Sequence, residues 1–366
     1  MSVNDMNDER TATQHKSVIV TSTGMKTVDD TTVGDRIIGS NGKSHYVREV
    51  FRCETQSLYK VTFSDSTSFT CGSSHLWSVK SYNDIARGKP WRTMTTHSLL
   101  QTQLKYGTHG QSRTWQIPLV EPVEFRNSPD GMPLDSYLLG VLLGDGALTQ
   151  HTVSWTKPDQ FIIDRLSNTI PGNMSIKTYK DGEKCQTNRI SAKVGKSNPV
   201  MDCLREIGIM GLYSHEKFVP RAYLFSSITN RIALLQGLMD TDGYAGESPE
   251  FCSTSKDLAT SVVFIVQSLG GVASISCKEN THYTDKNGNR HKCKPAWRVV
   301  LSLPNDINPF SLPRKANKYK PPSRGVGRWI DSIVRVDDGE SIEIKTSAIN
   351  GLYVTNDFIV THGASN

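Results

Sequence analysis

One pattern occurs twice and limits what this chain can fold into: Leu138-Leu139-Gly140-Val141-Leu142-Leu143-Gly144-Asp145-Gly146, and Leu235-Gln236-Gly237-Leu238-Met239-Asp240-Thr241-Asp242-Gly243. Each copy is an apolar run that ends in Asp-Gly. Small residues recur four apart, Gly140 with Gly144 and Gly237 with Thr241, so on a helix they share one face and let two backbones approach closely. Two such helices packed side by side would bring Asp145 and Asp242 out together at their ends, and adjacent carboxylates suit a hard divalent cation such as Mg²⁺. A single copy reads equally as a buried helix capped by a C-terminal glycine. Burying a carboxylate at the same place twice is costly without a partner or a cation, and the repetition therefore favours a metal site.

At 366 residues the chain has room for about two domains. Hydrophobic residues make up 36% and charged residues 21%, and no segment approaches the roughly 20 apolar residues of a membrane helix, so a soluble chain with no membrane partner is expected. Residues 1–16 are polar, lack the apolar core of a secretory signal, and read as a flexible tail of an intracellular protein, cytoplasmic or, in a eukaryote, nuclear. The net charge of +6 is compatible with a polyanionic partner. Seven cysteines are scattered without a Cys-x-x-Cys pair, which argues against a zinc module or a disulfide framework and predicts reduced, mostly buried thiols.

In chain order, residues 17–71 carry short β-type runs separated by Gly, Asp or Ser. Residues 80–116 interleave Lys80, Arg87, Lys89, Arg92, Lys105 and Arg113 with Tyr82, Trp91, Tyr106 and Trp115, a composition that suits a nucleic-acid backbone or a solvated loop. After the first motif come a hairpin pattern to residue 157, helical spacing over 160–170, two strands joined through Asp181-Gly182, and a helix over 200–211. The second motif is followed by the same order, with a helix over 258–269 and strands joined through Asn287-Gly288. A helix-hairpin-helix-hairpin-helix unit is thus used twice, its aspartates 97 residues apart (242 − 145).

The paired motifs resemble those of the LAGLIDADG homing endonucleases in their double-motif, single-chain form. The resemblance implies an α+β fold in which a pseudo-twofold pair of αββαββα repeats forms saddle-shaped sheets over duplex DNA. It makes Asp145 and Asp242 the acidic metal ligands, with the carbonyl oxygens of Gly144 and Thr241 beside them and Mg²⁺ or Mn²⁺ as cofactor. Outward-alternating strand residues are candidate DNA contacts: Lys177, Tyr179, Arg189 and Lys193 in the first repeat, Lys278, Asn280, Arg290, Lys292 and Arg298 in the second. Arg87, Lys89, Arg92 and Lys318 join them as candidate phosphate contacts, while any one of these side chains could equally be a solvated surface residue.

Phosphodiester hydrolysis also needs positive charge near the scissile phosphate, which lysine supplies. The repeat selects two. Lys217 lies 72 residues after the first aspartate (217 − 145) and Lys315 lies 73 after the second (315 − 242), whereas Lys318 and Lys320 miss that register. Lys217-Phe218-Val219-Pro220 is similar to the Lys-x-x-Pro block of intein endonucleases, a resemblance that implies a catalytic lysine. Asp240, whose first-repeat equivalent is Leu143, is not read as a symmetric ligand.

The flanking segments resemble intein (Hint) blocks: Ser17-Val18-Ile19-Val20-Thr21 with Gly24 and Val33-Gly34-Asp35, Gly72-Ser73-Ser74-His75-Leu76-Trp77, and Tyr353 to His362. The resemblance divides the chain into a tail at 1–16, a Hint-like β part at 17–130 with a possible DNA-contacting insertion at 80–116, an endonuclease domain at 131–322 (repeats 131–229 and 230–322), and a second Hint part at 323–366. His75 and His362 would be splicing remnants. Splicing needs a Cys or Ser nucleophile at the first intein position, near Thr11 or Ala12, and an Asn after the penultimate His; here no Cys is present there and Gly363 follows His362. The implied function is a monomeric, site-specific double-stranded DNA endonuclease with a long recognition site, leaving short 3′ overhangs and carrying a β domain inactive in splicing. A self-splicing intein with a passenger nuclease, or a non-catalytic nucleic-acid binder of the maturase kind, are the alternatives.

Overall fold

The computed structural model describes residues 17–110, 112–126, 131–150, 152–156, 159–180, 186–192, 196–285 and 287–364. The tail, the turn at Asp181-Gly182, Lys193 and Asn366 lie outside them. The chain is a mixed α/β protein of two compact units: one gathers residues 131–266 and 273–324, the other residues 17–126, 267–272 and 325–364.

The second of these units is built on a long two-stranded ribbon. Ser44–Phe63 and Arg328–Thr346 pair antiparallel from Ile330 opposite Phe63 to Thr346 opposite Val47, with bulges between. Sequence reading divides each of these strands in two, as Val47 to Phe51 with Leu58 to Phe63 and Trp329 to Val336 with Ser341 to Lys345, because the side chains of 52–57 and 337–340 lack apolar alternation. They pair with each other instead, on the stretch of ribbon between the cluster around Val47 and Ile344 and the cluster around Val61 and Ile333, where no buried face is needed. A nine-stranded sheet grows from this ribbon, and the stretch 80–116 is woven into it. Arg92–Thr95 pairs with Leu76–Ser81, and Trp115–Ile117 lies between Leu76–Ser81 and Arg328–Thr346. Val61, Phe63, Phe69, Trp77, Val79, Trp115, Ile117 and Ile330 fill its main core. Beneath it, Arg328 and Asp65 form a buried ion pair at 2.8 Å, and the same guanidinium donates to the carbonyls of Phe358 and Asp357. Both of those residues adopt positive φ, 52° and 54°, and the arginine offsets that backbone strain with charge-assisted hydrogen bonds.

In the other unit two helices, Ser136–Asp145 and Ile228–Asp242, run side by side. Asp135 caps the first by accepting from the Leu138 amide at 2.9 Å, and Ser227 caps the second through the Asn230 amide at 3.2 Å. They touch on their small residues: a Cβ added to Gly140 would stand 2.9 Å from the Gly237 Cα, and one added to Gly237 would stand 2.9 Å from the Gly140 Cα. The terminal glycines are not left-handed caps. Gly146 and Gly243 have φ of −71° and −86°, because the chain leaves each helix directly into a strand. Glycine is still required there, since a Cβ would stand 2.8 Å from the Leu142 Cα or 2.7 Å from the Met239 Cα.

Each motif helix feeds a four-stranded sheet of the same order. The first sheet runs Gly146–Ala147, Val153–Trp155, Thr187–Ala192, Met174–Tyr179; the second runs Gly243–Tyr244, Glu250–Ser253, Ala296–Ser302, Val272–Lys278. Gln160–Ser167 and Pro199–Glu206 complete the first repeat; Lys256–Ser268 takes the place of Gln160–Ser167 in the second, while the four-residue Pro313–Ala316 carries Lys315 where the first repeat has the loop around Lys217. The second repeat adds an exposed ribbon, His282–Thr284 with Arg290–Lys292, as a separate two-stranded sheet. Among the described residues no helix is long and apolar enough to cross a membrane. The expectation of mostly buried thiols fails: of the described cysteines only Cys71 is buried, while Cys252 and Cys277 are exposed on strands of the second repeat.

Candidate metal and nucleic-acid site

Asp145 and Asp242 close the two motif helices, both half-buried. Their helix ends meet. A Cβ added to Gly144 would stand 2.9 Å from the Thr241 Cβ and 3.5 Å from the Asp242 Oδ2, so the first helix passes within contact distance of the second carboxylate. The Thr241 hydroxyl is occupied within its own helix, donating to the carbonyls of Gly237 and Leu238.

The two lysines selected by register are both buried, at 2% and 8% exposure, and make equivalent contacts. Lys217 Nζ donates to the carbonyl oxygens of Leu142 (3.1 Å), Gly144 (3.3 Å) and Gly146 (2.8 Å). Lys315 Nζ donates to those of Met239 (2.8 Å), Thr241 (3.4 Å) and Gly243 (2.6 Å), and also of Asp240 (2.8 Å). Residues 142, 144 and 146 become 239, 241 and 243 on adding the repeat offset, so each ammonium sits on the same three carbonyls of its own motif helix. The carbonyls of Leu142 and Met239 also accept from the amides of Gly146 and Gly243, and each set lies at a helix C-terminus, where the macrodipole favours a cation. Burial lowers the Lys217 pKa to about 8, against the opposing pull of the Asp242 and Asp145 charges. That pull places both carboxylates in the field of one ammonium.

Asp240 is fully buried and turned away from this cluster. Its carboxylate accepts from the amides of Ser311 and Leu312 and from the Tyr137 hydroxyl. Tyr137 and Arg165, whose guanidinium lies 3.6 Å from the Tyr137 ring centroid, were not singled out by sequence reading. The available signal was an acid in an apolar helix whose repeat equivalent is leucine.

The strand candidates fall into two groups. In the first repeat Lys177 and Arg189 are exposed and directly opposite one another on neighbouring strands, with Arg189 stacked 4.9 Å over the Tyr179 ring. In the second, Lys278, Asn280, Arg290, Lys292 and Lys318 are exposed, but Arg298 is gripped at both ends by Glu250, at 2.8 and 2.5 Å. That cross-strand acid makes Arg298 a neutralised pair rather than an open reader. Arg92 is likewise held at 2.6 Å by the buried Asp84, which accepts from the Ser81 amide in the capping box of the helix Tyr82–Ala86; Arg87 and Lys89 are exposed.

In the β unit His75 is buried, its Nε2 2.6 Å from the Thr361 hydroxyl, and His362 meets the Gly363 carbonyl through Nδ1 at 3.0 Å. His75, Ser74, Phe51, Glu343, His362 and Gly363 line a cavity of about 390 Å³. Burial, aided by the His362 charge, pushes the His75 pKa down to about 3. An unfolded histidine titrates near 6.5, so between pH 6.5 and 3 the unfolded chain binds a proton that the folded chain does not, and stability falls as pH falls through that window. Equilibrium urea unfolding is expected to show a loss of about 2 kcal/mol between pH 6.5 and 5 from this group, and His75→Gln to flatten that slope. An unchanged slope in the variant would show that His75 is not the titrating group.

No family model matches the chain. It is 27% identical over 314 residues to a replicative DNA helicase DnaB from Mycobacterium intracellulare, covering 81% of this chain and 47% of that one. Another, from Rhodothermus marinus, is 33% identical over 150 residues, covering 36% of this chain and 16% of that one. The chain therefore spans about half the length of one curated relative and about a sixth of the other. Among solved structures it is similar to the MchDnaB-1 intein (25% identity, TM-score 0.20, 28% of this chain and 63% of that one). It is also similar to the homing endonuclease I-DmoI in complex with its target DNA in the presence of Mn (16% identity, TM-score 0.29, 51% and 90%).

Proposed function

We propose that the chain is a site-specific, metal-dependent endonuclease for double-stranded DNA, with a β unit that does not splice. One observation carries the reading: two glycine-packed helices deliver Asp145 and Asp242 to one place, each helix end held by a buried lysine on the same three carbonyls. A structural helix pair gains nothing from converging two carboxylates, whereas phosphate chemistry needs them. The donor set fits a hard cation: Asp145, Asp242 and the carbonyls of Gly144 and Thr241 are all oxygens, each of those carbonyls accepts one long bond from a lysine (3.3 and 3.4 Å) and keeps a second lone pair, and among the described residues no third Asp, Glu, His or Cys joins them. Bound there, Mg²⁺ or Mn²⁺ would supply Lewis acidity at the phosphate and a more acidic water.

The chain's own residues do the rest. Lys217 and Lys315 fix both helix ends and place positive charge beside the carboxylates. Lys177 opposite Arg189 sets two like charges face to face on a sheet, an arrangement that is unfavourable until a polyanion covers it. We place the duplex on the two four-stranded sheets, with Lys278 as a contact from the second of them and Arg290 and Lys292 as contacts from the added two-stranded ribbon. In the β unit Gly363, not an asparagine, follows His362, and the next asparagine, Asn366, comes three residues later than a cyclising amide beside that histidine requires. The test is incubation with a randomised duplex library in Mg²⁺, followed by sequencing of the ends. Recovery of one extended site with short 3′ overhangs is expected. Intact DNA in both Mg²⁺ and Mn²⁺ would overturn the nuclease reading.

A further inference from the structure

The two halves of the site are braced differently. We propose that Asp240 and Tyr137 form a latch that positions Lys315, so that cutting of one DNA strand depends on the latch and cutting of the other does not. This inference rests on the nuclease reading.

Asp240 has no counterpart in the first repeat, where Leu143 occupies its place. Its Oδ1 accepts from the amides of Ser311 (3.1 Å) and Leu312 (3.0 Å), and its Oδ2 accepts from the Leu312 amide (3.0 Å) and the Tyr137 hydroxyl (2.8 Å). Ser311 and Leu312 lead directly into the short helix Pro313–Ala316, which carries Lys315 and has no side-chain cap of its own. Lys315 then returns its ammonium to the main chain of Met239, Asp240, Thr241 and Gly243. The circuit is closed. The carboxylate of Asp240 holds the start of the strap, and the helix around Asp240 receives the lysine at its end.

Side chains of the first repeat tie this strap down. Tyr137 comes from the first motif helix; Arg165 stacks on Tyr137 and donates to the Ser311 hydroxyl; Arg314 forms a bidentate pair with Asp159 at 2.9 and 2.8 Å. Lys217 sits on a simpler strap. Its own carbonyl accepts from the Ser255 hydroxyl at 2.6 Å, and the neighbouring Glu216 accepts from the amide of Tyr213 within the same loop. The Leu143 side chain has no acceptor, so nothing at that position of the first motif helix can hold the strap of Lys217 as the Asp240 carboxylate holds that of Lys315. The two lysines therefore reach equivalent positions by unequal means, and loosening one leaves the other in place.

The experiment uses the full chain and a supercoiled plasmid bearing the selected site, with each strand's nick resolved by end-labelling. Tyr137→Phe removes a single oxygen and Asp240→Asn keeps the side-chain shape. Each is expected to slow one strand about tenfold relative to the other, the loss of one hydrogen bond to a charged group, so that nicked circles accumulate. Ser255→Ala is expected to shift the ratio towards the opposite strand. Equal slowing of both strands, or no slowing, overturns the latch. Amide hydrogen exchange supplies a readout that needs no cutting: Ser311 and Leu312 amides should exchange faster in Asp240→Asn while those of the first motif helix stay protected. Unchanged exchange at Ser311 and Leu312 also overturns it. A wild-type chain that cuts no DNA ends the nuclease reading, and with it the strand dependence, while the exchange result still decides whether Asp240 holds the strap.

Discussion

Asp145→Asn combined with Asp242→Asn is expected to lower the rate of double-strand cutting in Mg²⁺ by about a thousandfold or more, equivalent to about 4 kcal/mol of transition-state stabilisation. DNA affinity measured in Ca²⁺ should change by no more than a few fold. The two effects separate because the carboxylates and the duplex contacts lie on different residues. The aspartates sit half-buried where the motif helices meet, while Lys177, Arg189, Lys278, Arg290 and Lys292 lie exposed on strands. Each Asn keeps the volume and one oxygen but removes the charge that binds a cation. If the aspartates were only helix ends, the double variant would cut normally and differ in thermal stability alone. Double-strand cutting retained within a few fold by the double variant would remove these carboxylates from the chemistry.

Much of this arrangement was legible in the sequence because a repeat is a local signal read twice. The small residues at Gly140, Gly144, Gly237 and Thr241 announce a close helix pair wherever they occur, and the structure packs the helices on those residues. The lysines were found because a common register separates Lys217 and Lys315 from the chain's other 40 lysines and arginines (42 − 2), and the structure seats both on equivalent carbonyls. What those four side chains do in solution is a separate matter, which the variants above decide. The remainder was illegible for identifiable reasons. Asp240 meets backbone amides at Ser311 and Leu312, and an amide has no residue-type signature. The pairing of Arg298 with Glu250 depends on strand register, which spacing alone leaves open. Thiol exposure was misjudged because Cys252 and Cys277 lie on outward strand positions, which composition cannot distinguish from inward ones.

Gly140→Ala is expected to destabilise the helical unit by about 2–4 kcal/mol, although alanine is the better helix former by about 1 kcal/mol. The added methyl would stand 2.9 Å from the Gly237 Cα and 3.0 Å from the Leu238 amide nitrogen. Those are backbone atoms of the partner helix, so no side-chain rotation relieves the contact and the helices must separate. Separation opens the glycine seam along its length, and dispersion contacts fall off steeply with a gap of even half an ångström. Gly237→Ala makes the reciprocal contact with the Gly140 Cα and the Val141 nitrogen, so it should cost a similar amount. The double variant should cost less than the sum, because the first methyl already forces the helices apart. Gly172→Ala is the control: a Cβ there meets nothing within 4 Å, and stability should hold within about 0.5 kcal/mol. Helices forced apart at residue 140 carry Asp145 and Asp242 away from each other one turn later, so the cation affinity of Gly140→Ala should fall even below its unfolding temperature. Urea unfolding of the four variants, with Mn²⁺ titration of the folded chains, measures both effects. A Gly140→Ala chain as stable as wild type would mean that the motif helices do not pack on their glycines.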